Sequence, residues 1–125
     1  MNPFIEKMTI SRLIEYIEAQ KKTIHDKKSS TNNVMSRLKY DTWEAQKLLL
    51  SKVSTLHASN DTSLWRKEAA NASVMVRANK NLGKVQDVWS VLRKGMVFVS
   101  LADHPVDWYY PNELQVLLPK DIMSI

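Results

Sequence analysis

WRKEAANASVMVRANKNLGKVQDVWSVLR, residues 65–93, is the stretch whose reading decides the fold. Trp65, Ala69, Ala72 and Val76 step by three and four, joined by Met75, which is the spacing of one apolar face of a helix. Asp61, Thr62 and Ser63 just before it suit an N-cap. The alanines at 69, 70 and 72 would let another helix approach closely. NKNLG, residues 79–83, reads as a helix end with Gly83 in a left-handed conformation. Leu82, Val85, Val88, Trp89 and Leu92 then resume helical spacing as far as Arg93. The stretch is therefore expected to hold two helices meeting at Gly83, or one long helix that tolerates the glycine.

The upstream half extends this helical pattern. Ile10, Leu13, Ile14 and Ile17 predict a helix over about 9–27, opened by Thr9 or Ser11. KKSSTNN, residues 27–33, is a polar break with several capping residues. Met35, Leu38, Thr42, Ala45, Leu49, Val53 and Leu56 form a long amphipathic stripe, with Trp43 and Leu50 widening it. That stripe suits packing within a bundle, and a homodimer through the Met35–Leu56 stripe is the other use of it.

Downstream of Gly95 the period changes to two. Val97, Val99 and Leu101 alternate with Met96 and Phe98, Asp103-His104-Pro105 reads as a turn, and Leu114 to Leu118 is a second apolar run. The fold class expected is mainly α: a compact three- to four-helix bundle with a small C-terminal antiparallel β-hairpin packed on it. Residues 1–125 are expected to form a single domain, with a helical body over about 9–94 and a strand-rich tail over about 95–119.

Composition narrows the chemistry. The chain has 125 residues, no cysteine and two glycines far apart, which removes disulfides, thiol catalysis and glycine-rich phosphate loops. MNPFIEKMTISRL lacks a basic region followed by an apolar one, so no signal peptide is expected, and cytoplasmic placement follows. The longest apolar run is Leu48-Leu49-Leu50, and no membrane association is expected. Residues 51–95 hold eight Lys/Arg against three Asp/Glu, whereas residues 96–125 hold one against four. A basic body thus precedes an acidic, aromatic tail.

Two surfaces emerge as candidate sites. Trp108, Tyr109 and Tyr110 are consecutive, so in a strand at least one must turn away from the others; aromatics so placed are favoured interface anchors. Asp103, Asp107 and Glu113 would form a charged rim around them. Arg66, Lys67, Arg77, Lys80, Lys84, Arg93 and Lys94 form the second set, whose clustering on a helical segment would suit phosphate contacts. His104 with its neighbouring carboxylates is the best centre for a metal-dependent hydrolase, although the spacing matches no metal signature. His25 and His57 fall near helix ends, where a solvated histidine complements the dipole. No catalytic constellation and no cofactor motif is present. The expected function is that of a small non-enzymatic binding or regulatory protein that engages a protein partner through its tail. A nucleic-acid-associated regulator using residues 66–94 is the alternative.

Overall fold

The computed structural model describes residues 3–26, 32–102 and 106–124. Its helical half comprises α1 (Pro3–Glu6), α2 (Ile10–Asp26), α3 (Asn32–His57) and α4 (Thr62–Glu68). α2 buries Ile10, Leu13 and Ile17, and its first turn is capped by Thr9, whose hydroxyl accepts from the Arg12 amide at 3.3 Å. α3 buries Thr42, Ala45, Leu49, Val53 and Leu56 of the expected stripe, with Gln46 beside them, while Met35 and Leu38 are only half-buried. Lys52, late in α3, donates to the Met8 carbonyl just before α2, so the two long helices run antiparallel. Trp43 and Leu50 do not widen the buried stripe; both lie on the opposite, solvent-facing side of α3.

The second half is a five-stranded antiparallel sheet, which overturns the expected helical bundle with a C-terminal hairpin. Its strands are β1 (Ser73–Val76), β2 (Leu82–Gln86), β3 (Val97–Leu101), β4 (Asp107–Tyr109) and β5 (Leu114–Val116), in the spatial order β4-β3-β2-β1-β5. Helix α4 starts at the Asp61 cap, whose carboxylate accepts from the Ser63 and Leu64 amides, and stops after one apolar turn. Asn71 then takes a left-handed φ of 63° and the chain becomes extended. Trp65, Ala69, Ala72 and Val76 are all buried, as helical spacing requires. Val74 is fully buried as well, and decides between the periods. In a helix Val74 and Val76 would point to nearly opposite sides; in a strand they share a face. A separation of four residues fits both periods, which is why the stripe misleads.

Residues 77–81 close a hairpin instead of ending a helix. The Val76 amide donates to the Asn81 carbonyl at 2.8 Å and the Lys80 amide to the Val76 carbonyl at 2.7 Å, with Lys80 at φ 61°. Gly83 lies inside β2. A Cβ there would sit 2.6 Å from the Ser100 carbonyl oxygen and 2.8 Å from a Val99 methyl. The glycine is needed because β3 comes too close for any side chain, not for a left-handed turn.

The predicted hairpin partners also differ. β3 pairs with β2 and β4, whereas β5 crosses to the far edge and pairs with β1. Both edges of the sheet are therefore drawn from the tail. The inner face contributes Val74, Val76, Val85, Val97, Val99, Leu101, Leu114 and Val116 to one core with the helices and Trp65. The outer face carries Phe98 opposite Trp108, Lys84 opposite Ser100, and Leu82 opposite Met75.

Candidate functional site

The most exposed apolar feature grows from the loop between β2 and β3. The stripe of Leu82, Val85, Val88, Trp89 and Leu92 reads as a helix by spacing, but only Val85 of it is buried. Trp89 is 61% exposed and Leu92 is 90% exposed, so Trp89 is not the core residue its spacing predicts. The loop is nevertheless built. Residues Val91–Arg93 form one 3-10 turn, capped by Ser90, whose hydroxyl accepts from the Leu92 amide at 3.3 Å. The Arg93 amide closes onto the Ser90 carbonyl and the Met96 amide onto the Arg93 carbonyl, both at 3.1 Å. Gly95 then turns back into β3 at φ 84°. The result is a crest of Val88, Trp89, Val91 and Leu92 with Arg93 and Lys94 at its foot.

The tail aromatics divide as their consecutive order requires. Trp108 lies on the outer face against Phe98, with ring centroids 4.6 Å apart. Tyr109 faces inward and packs against the core. Burial, followed by the charges of Asp107 and Glu113, raises its phenol above the usual range. Tyr110 is exposed and stands at the base of the crest; a Cβ on Gly95 would lie 3.9 Å from its ring. The tail and the crest thus meet at one end of the sheet.

Asp107 and Glu113 are exposed, and each is also held by a local backbone bond. Asp107 accepts from the Trp108 amide at 2.8 Å, and Glu113 accepts from the Tyr110 amide at 2.7 Å, so both shape the backbone around the aromatics. Asp103 and His104 lie outside the described residues. Among the described residues no group of three His, Asp or Glu side chains is placed to hold a metal ion. Among the described residues no helix is long and apolar enough to cross a membrane.

The basic set is dispersed among four parts of the fold, not aligned on one helical segment. Arg66 and Lys67 lie on α4, where Arg66 approaches Asp87 at 3.9 Å. Arg77 and Lys80 belong to the β1–β2 hairpin, and Arg77 donates through Nε to the Leu114 carbonyl at 3.3 Å. Lys84 is on the outer face of β2, in an open hollow of about 470 Å³ shared with Ser73, Gln86 and Ser100. Arg93 and Lys94 alone adjoin the crest.

His57 was expected to be a solvated dipole partner but holds a structural bond: its Nε2 accepts from the Val116 amide at 3.0 Å. Its ring is tilted against that of Trp65, at 6.4 Å. No protein-family model, curated protein or solved structure matches this chain.

Proposed function

We propose that the protein is a non-enzymatic binding module that seats its Val88–Leu92 crest in an apolar pocket of a protein partner rimmed by carboxylates. The observation that carries this reading is the exposure of Trp89 and Leu92 on a turn already closed by its own hydrogen bonds. A preorganised turn loses little conformational freedom on docking, which favours affinity. Tryptophan and arginine are the side chains that most often dominate interface energetics. Arg93 and Lys94 set the charge of the complementary rim, and Tyr110 extends the contact from the tail.

Site-specific photocrosslinking from position 92 in cells tests this, with Lys120 as the control position. The expected outcome is one protein captured from position 92, whose binding to the purified chain is lost with Trp89→Ala. Equal capture from both positions, or binding indifferent to Trp89→Ala, refutes the reading.

A second reading rests on the Phe98–Trp108 pair beside Lys84. Half-exposed aromatic rings near a cation offer faces on which the bases of a single strand can stack. Fluorescence anisotropy with labelled single strands decides it. Binding at low salt that is weakened by Trp108→Ala and by Lys84→Ala supports it, and no binding at low salt removes it.

A further inference from the structure

The stripe from Thr42 to Leu56 is consumed by the chain's own core, but α3 carries a second stripe on its outer side. Tyr40, Trp43 and Leu50 are 55%, 47% and 49% exposed. They share a seam with Ser36, Lys47 and Ser54, all exposed, in steps of four, three, four, three and four. The Tyr40 and Trp43 rings meet at 5.9 Å, and the Lys47 ammonium stands 4.5 Å from the centre of the Trp43 ring.

We infer that this seam is a homodimer interface in which α3 of one copy packs antiparallel against α3 of a second copy, about a two-fold axis near residue 45. The step pattern admits this occupant, and the side chains it brings together select it. It reads the same in both directions, so an antiparallel copy in that register sets Tyr40 against Leu50, Trp43 against Lys47 and Ser36 against Ser54. Tyr40 then meets apolar Leu50, Trp43 meets a cation, and small polar groups meet at the ends. Charge agrees with the register. Lys47 of each copy reaches Trp43 of the other and stands one residue from its Glu44. A parallel pairing would instead set Lys47 against Lys47. An isologous contact of this kind closes on itself and makes no filament. Half-exposed aromatics each have about 100 Å² to bury, so the two copies together reach only the small end of specific interfaces, about 1,200 Å² or less. Association is therefore micromolar or weaker, and the crest at the sheet end remains accessible in the pair.

The cysteine-free chain permits a direct test. Sedimentation equilibrium from about 1 to 300 µM should show a monomer–dimer transition. Trp43→Glu should shift it at least tenfold to higher concentration while circular dichroism stays unchanged. A single Glu44→Cys variant should oxidise to a disulfide dimer, since its counterpart lies only two residues away along the axis. A single Leu50→Cys variant should not, because ten residues of offset separate its counterpart by about 15 Å. A chain that stays monomeric to 300 µM overturns the inference. So does a dimer insensitive to Trp43→Glu, or disulfide formation at Leu50→Cys in preference to Glu44→Cys.

Discussion

The backbone N–H of Val116 donates to Nε2 of His57 at 3.0 Å, fastening strand β5 to the last residue of α3. This bond requires a neutral ring with its proton on Nδ1, because a protonated imidazole has no acceptor. Burial, and secondarily the charge of Arg77, lowers the His57 pKa below its ordinary value. A base with a depressed folded pKa takes up its proton more readily when unfolded, so stability falls with pH. The contribution is complete above the unfolded value of about 6.5 and is lost as pH falls through the lower folded value. His57→Ala should cost about 1 kcal/mol at pH 7.5, the typical worth of such a bond. The gap in Tm between the wild type and this variant should narrow below pH 6. A gap that stays constant from pH 7.5 to 4.5 would show that the ring contributes packing alone.

Gly83 separates the sheet from a helix in one substitution. With a Cβ only 2.6 Å from the Ser100 carbonyl oxygen, Gly83→Ala must push β2 and β3 apart. A loss of about 1–3 kcal/mol is expected in urea unfolding, as for other overpacked sites. In a continuous helix the same change would instead stabilise by up to about 1 kcal/mol. A gain in the unfolding midpoint would therefore contradict the close approach of the two strands.

The two long helices are legible because α2 and α3 hold one unbroken 3.6-residue period over many turns. The sheet is not, because Ala72 and Val76 are four apart and satisfy either period. What distinguishes them is local: β-branched Val74 and Val76 flank Met75, and an Asn-Lys-Asn segment with a left-handed Lys80 turns the chain. The division of Trp108, Tyr109 and Tyr110 between faces follows from their consecutive positions and was readable. The crest was missed because Val88, Trp89 and Leu92 resemble a helical stripe. Four apolar residues crowded into positions 88–92, interrupted only by a capping serine and closed by Gly95, are the signal of a built turn.

Because Leu92 is almost wholly exposed and Trp89 mostly so, function and stability should separate there. Leu92→Asp and Trp89→Ala are expected to change unfolding free energy by no more than about 0.5 kcal/mol, as ordinary surface changes do. Partner capture should fall at least tenfold in each, with Leu92→Asp worse because it also opposes a carboxylate rim. A Leu92→Asp variant that unfolds markedly earlier would show that the turn belongs to the core and is not a presented surface.

Lys52 and Glu68 test how the helices are joined to one another. Their charges meet at 2.7 Å with side chains only 14% and 19% exposed, and Lys52 also donates to the Met8 carbonyl at 2.9 Å. One ammonium thereby ties α3 to the start of α2 and to α4. Removing one partner strands the other charge in a poorly hydrated place, so Lys52→Ala should cost about 2–3 kcal/mol, somewhat less than a fully buried pair. Glu68→Gln keeps the shape and one acceptor and should cost less, about 1 kcal/mol. The apolar double change Lys52→Met with Glu68→Leu removes both charges together and should recover most of the loss, since attraction between buried ions only offsets their desolvation. Urea unfolding of the wild type, Lys52→Met, Glu68→Leu and the double variant gives the coupling directly. A double variant as unstable as the sum of its singles would show that the bond from Lys52 to Met8, not the ion pair, holds the helices together.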